Sequence, residues 1–160
     1  MTSGKYKLQT ILDLRERAKQ ERARIVTARR AALAEAEEEL VRRERSLADC
    51  KAQQSDAQAQ MLEAAGGAAE ASRLVAHRTH LADLRLTEQQ LTVEVDQQRL
   101  SVSRAEKEVE KALAALVEAS KELRVIEKHR EGWRQQMGRT EARREQKLND
   151  EIGLIRHKRK

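Results

Sequence analysis

From Leu74 to Met137 the chain repeats every seven residues: Leu74, Leu81, Glu88, Val95, Val102, Val109, Leu116, Leu123, Arg130, Met137. A second position three residues later reads His77, Leu84, Leu91, Gln98, Ala105, Ala112, Ala119, Ile126, Trp133. Steps of three and four alternate in register for nine heptads, which turns one narrow apolar stripe toward a partner helix and winds the pair left-handed. Such a helix is not stable alone. The question the sequence poses is what covers the stripe.

A globular core is excluded. Only 1% of the residues are aromatic, 38% are charged, and Phe and Pro are both absent. Side chains of this kind bury little except along helix seams, and Ala, Glu, Arg, Gln and Leu all favour helix. Disorder is the competing reading of a charged, aromatic-poor chain, but a disordered chain has no reason to keep a heptad period.

The partner lies upstream. Apolar residues recur at Leu8, Ile11, Leu14, Ala18, Ile25, Ala28 and Ala32, then at Ala36, Leu40, Leu47, Cys50, Ala57 and Met61. The two series join by steps of four at Ala32, Ala36 and Leu40, the spacing of a stutter that locally unwinds a supercoil. Gly66 and Gly67 then break the pattern, costing a helix about 2 kcal/mol relative to alanine and permitting a reversal. The fold class is therefore all-α: a long antiparallel two-helix coiled-coil hairpin in which helix 2 is longer than helix 1. We expect helix 1 over about 6–64, a turn over about 65–69 and helix 2 over about 70–155, in one domain spanning 1–160. Facing residues then have numbers summing to about 133, which sets Gln98 near Glu35 and Ala36 and Glu88 near Arg43 and Arg45. Past about residue 130 the seam continues through Trp133 and Met137 with no mate expected inside the chain.

Charge follows the same geometry. Residues 1–30 hold nine basic and three acidic residues and 128–160 hold eleven and five, whereas the middle is net acidic. A block of this kind steers association rather than setting the fold.

No catalytic constellation is present, and we expect no enzyme, cofactor or metal. His77 and His80 share a helical face, but no carboxylate or thiolate completes a ligand set. Cys50 falls on the seam as a small buried hydrophobe, and a single cysteine fits a reducing compartment. No signal peptide or membrane span is evident, so a cytoplasmic location is expected. The basic Arg156-His157-Lys158-Arg159-Lys160 tail leaves one alternative open, a coiled-coil adaptor binding nucleic acid or anionic membrane.

Both ends carry a family likeness. The opening KYKLQTILDLRERAKQERARIVTARR resembles the start of type III secretion stalk proteins of the SctO/YscO class and their flagellar relative FliJ, through Tyr6, Leu8, Ile11, Leu12 and Arg15. The closing part is similar at Glu127, Lys128, His129 and Trp133, then at Glu141, Ala142, Arg143, Glu145, Lys147, Asp150 and Glu151. The resemblance implies an antiparallel two-helix stalk whose paired ends enter the pore of a hexameric export ATPase. It implies a hairpin tip that reaches the cytoplasmic ring of the export gate, and secretion chaperones as partners of some members. It implies no catalysis, no nucleic acid and no membrane insertion.

On that basis the ATPase-binding end is expected at Tyr6, Leu8, Arg15, Arg130, Trp133, Arg134, Met137, Arg143 and Arg144, with Gly66 and Gly67 at the turn. The competing account of Trp133 is that it packs back across Tyr6 and closes the open end of the hairpin.

Overall fold

Two helices, α1 (Gln9–Gly66, 58 residues) and α2 (Ala71–Lys158, 88 residues), make up the computed structural model, which describes residues 6–66 and 71–158. There is no strand among the described residues. The Gln9 N–H donates to the Tyr6 carbonyl at 3.1 Å, satisfying one of the donors a helix start leaves open. Gly66 is the last residue of α1 rather than part of a turn, and Gly67 lies outside the described residues. The chain forms two units: α1 from Val26 with α2 up to Ala112, and α1 up to Ile25 with α2 from Leu113.

In the first of these, the central unit, α1 and α2 run antiparallel. Cys50 Sγ meets the Leu84 carbonyl at 3.5 Å, and Gln98 Nε2 donates to the Ala36 carbonyl at 2.9 Å, the pairing the register predicts. Cys50, Ala57, Leu81 and Leu84 form the core, with Met61 and Leu91 packed against them. Small α1 residues facing α2 leucines let the two backbones approach closely. Every seam position of α2 from Leu74 to Met137 is at least partly covered, as the heptad requires.

The α1 stripe departs from expectation. Val26 and Leu33 are covered one heptad apart, and from Leu33 steps of three and four alternate through Ala36, Leu40, Arg43, Leu47, Cys50, Gln54, Ala57, Met61 and Ala64, all covered, while Ala28 and Ala32 are exposed. No stutter exists. Val26 and Leu33 hold the seam, and the alanines only resembled it because alanine is apolar and abundant.

Polar seam residues are satisfied within the unit. Gln54 Nε2 donates to the Leu84 carbonyl at 3.1 Å and to the Glu88 carboxylate at 2.8 Å. Glu88 thus pairs with Gln54 and, at 3.9 Å, with Lys51, not with the expected Arg43. Arg43 is already engaged by Glu39 at 2.8 Å and Glu94 at 3.8 Å. Further cross-helix pairs, Arg99 with Glu44 and Arg29 with Glu108, are solvent-exposed, so each is worth at most about 1 kcal/mol.

Hydrogen bonds from Arg43 and then Arg42 hold the Glu39 carboxyl below its ordinary value, and one from Lys111 does the same for Glu108. Carboxyls shifted this way stabilise the fold above the ordinary carboxylate range, and the contribution disappears as pH falls through their lowered values. Titration followed by carboxyl NMR should show both protonating below the ordinary carboxylate range as acid is added.

In the terminal unit Leu12 is the one large side chain among the described residues that is fully buried, at 1% exposure. Ile11, Leu14 and Ala18, expected on the seam, are exposed, as is every α1 residue from Asp13 to Arg24. Stepping by three and four from Leu12 lands on Arg15, Lys19 and Arg22, so the seam is charged there. Opposite them Ala119 and Leu123 are nonetheless buried. Long basic side chains cover apolar surface with their methylenes while the heads stay in water.

Candidate partner-binding end

The terminal unit is closed by an aromatic layer. Tyr6 precedes α1, and its hydroxyl bonds His129 Nδ1 at 2.8 Å and donates to the Ile126 carbonyl at 3.4 Å. The Tyr6 ring lies 5.7 Å from that of His129 and 5.4 Å from that of Trp133, tilted by 44° and 51°. Tilted rings at these separations add about 0.5–1.5 kcal/mol beyond the area they bury. Tyr6 is buried and Trp133 half-buried.

Trp133 therefore has a mate inside the chain. The expectation of an unpaired seam from residue 130 is corrected here: Tyr6 reaches back across α2 and covers it. Replacing Tyr6 by Phe removes the hydroxyl bonds but keeps the ring. The terminal unit should lose about 1 kcal/mol, read from amide exchange of residues 113–130.

The remaining candidates separate into two sets. Leu8, Arg130 and Met137 are half-buried beside the aromatic layer, and Arg15 is tied to Glu122 on the surface. Arg134, Arg143 and Arg144 are exposed and make no ion pair among the described residues. The structure does not bring the last two to the others.

From Gly138 to Ile155 every side chain is exposed. Leu148, Ile152 and Ile155 lie there on one helical face, at i, i+4 and i+7, each more than half exposed. Sequence reasoning stopped at Met137 and missed them, because the strict heptad arrives at Arg144, Lys147 and Glu151 instead. The signal was a change of period. From Trp133 and Met137 steps of four, four and three lead through Glu141 and Arg144 to Leu148, Ile152 and Ile155. That is an eleven-residue repeat, which favours a straighter or right-handed path over the left-handed seam.

Among the described residues no group of three or more His, Cys, Asp or Glu side chains is placed to hold a metal. Among the described residues no helix is long and apolar enough to cross a membrane.

Comparison with known proteins gives two matches. The family described as YscO-like protein matches residues 3–160. The solved structure of CT670, described as a YscO homolog from Chlamydia trachomatis, superposes with a TM-score of 0.80 at 23% identity, covering 97% of this chain and 96% of that one. At that identity the likeness speaks for the fold. No curated protein matches the sequence.

Proposed function

The chain belongs to the YscO-like family and is thus a stalk-like protein of type III secretion, and from this premise we propose that it links the hexameric export ATPase to the cytoplasmic ring of the export gate. In this reading it is not an enzyme. It acts at the cytoplasmic face of the apparatus, promotes ATP hydrolysis or couples it to secretion, and in some systems also meets secretion chaperones.

One observation carries the reading: a helical segment beyond Met137 that is wholly exposed, rich in arginine and lysine, and striped by Leu148, Ile152 and Ile155. An amphipathic helix with nothing covering its apolar face gains by inserting into a pore or groove, and basic flanks direct it toward acidic walls. Arg143 and Arg144 belong to this segment. Tyr6, Leu8, Arg130, Trp133 and Met137 would hold its base rigid, with Arg134 and Arg15 on the rim.

The test is stimulation of the purified hexameric ATPase by an Ile152→Glu/Ile155→Glu variant. Both side chains are exposed, so helicity and melting should not change. Stimulation should fall at least about tenfold, since two apolar anchors at an interface core typically contribute more than 1 kcal/mol each. Undiminished stimulation by the double variant would reject the segment as the ATPase contact.

A further inference from the structure

α2 holds no glycine over residues 71–131, and then three, Gly132, Gly138 and Gly153, over residues 132–158. A glycine inside a helix usually has a structural reason, either a positive φ or a neighbour that leaves no room for a Cβ. Neither holds here. No described glycine has a positive φ, and a Cβ built on any of the three would meet nothing within 4 Å. Each still lowers the local helix–coil equilibrium about fivefold relative to alanine.

The stretch past Met137 also lacks the usual compensations. Among the described residues six intrahelical ion pairs brace the helices, and none lies beyond Lys121. Arg139, Arg143 and Lys147 follow one another at steps of four, as do Glu141 and Glu145, and like charges at that spacing oppose winding. Opposite partners are at hand, Arg144 for Glu141 and Asp150 or Glu151 for Lys147, yet no ion pair forms between them. Helices in proteins draw most of their stability from packing an apolar face, and the face of Leu148, Ile152 and Ile155 stays more than half exposed.

We propose that residues 139–155 are a helix held near its melting point, mostly unwound in the free protein and wound when the apolar stripe is covered. This rests on the reading above that the stretch inserts into a partner. The structure shows the wound form. Winding is anchored at one end, because Trp133 is held against Tyr6 and the first turns are already in place. Covering Leu148, Ile152 and Ile155 supplies the burial that the free helix lacks. Such a segment gives up affinity to ordering, since only the wound fraction is competent to bind, and it releases readily. The glycines tune that fraction without touching the stripe. At about 100° per residue, Gly138 and Gly153 lie roughly 75° and 135° around the helix from its centre.

Amide exchange on the full chain tests this with no partner present. Residues 139–155 should exchange at least about hundredfold faster than residues 113–130. Gly138→Ala/Gly153→Ala should slow them about three- to tenfold, the response of an equilibrium moved about twentyfold from below one. The same variant should bind the purified hexameric ATPase about fivefold more tightly, and Gln146→Gly about threefold more weakly. Protection over 139–155 equal to that over 113–130 in the free chain overturns the proposal. So does an alanine variant that binds no more tightly while Ile152→Glu/Ile155→Glu is impaired, which would mean that the partner needs the glycines for close approach. If none of these variants alters ATPase binding, the ATPase contact is rejected, and exchange in the free chain alone decides whether the stretch is unwound.

Discussion

Leu12→Ala should cost the terminal unit about 3 kcal/mol, while Ile11→Ala and Leu14→Ala should each cost less than about 0.5 kcal/mol. The three residues are near neighbours with similar hydrophobicity, and an apolar count treats them alike. Leu12 is 1% exposed, against 40% for Ile11 and 58% for Leu14, so only its loss opens a cavity between α1 and α2. Urea unfolding followed through Trp133 fluorescence reads the terminal unit selectively, because the chain's one tryptophan lies in it. Equal losses at the three positions would mean that α1 is rotated relative to the description above.

The second large effect has the opposite sign. Lys19→Leu with Arg22→Leu should stabilise the terminal unit by about 2–3 kcal/mol, close to the transfer free energy of two partly buried leucines. Both residues occupy seam positions by the spacing that starts at Leu12, and Lys19 lies beside Leu123. Arg15 is left in place, because its pairing with Glu122 crosses the helices. Natural proteins seldom leave such gains unused without a reason. If the variant is more stable but weaker in the proposed stimulation of an export ATPase, the charged seam serves the partner rather than the fold. A variant no more stable than the parent would show that the basic stems already cover Ala119 and Leu123 as well as leucine could.

These two cases also mark where the sequence was readable. The α2 seam was legible in full because hydrocarbons fill most of it, and the covered positions from Leu74 to Met137 are the ones its period names. The polar pairing of Gln98 with the Ala36 backbone followed from the same register. The α1 seam was misread over its first half because Arg15, Lys19 and Arg22 sit where the pattern demands apolar residues, and exposed Ile11, Leu14 and Ala18 supplied a false one. Glu88 went to Lys51 and Gln54 because the residue numbers of the cross-helix ion pairs sum to 137–143 rather than to about 133, which sets Glu88 beyond the reach of Arg43. At the candidate site, Trp133 was placed on the right face. Its covering by Tyr6 was the competing account, and it could not be preferred from the pattern because Tyr6 stands ahead of the helix, where no periodicity records a direction.

The uneven packing of the terminal unit has a kinetic consequence. Between Leu12 and Ile25 every α1 residue is exposed, so apart from the exposed Arg15–Glu122 pair and the basic stems over Leu123 the contacts that keep this stretch docked are gathered at Leu12 and the Tyr6–His129–Trp133 layer. Such an arrangement behaves like a zip fastened only at its slider. Once that end lets go, α1 up to Ile25 is expected to swing free in a single event rather than peel residue by residue. Amide protons across that stretch should then exchange with one shared opening free energy, well below that of the Cys50–Leu84 core. The terminal unit can thus open and re-engage as one piece while the Cys50–Leu84 core stays packed.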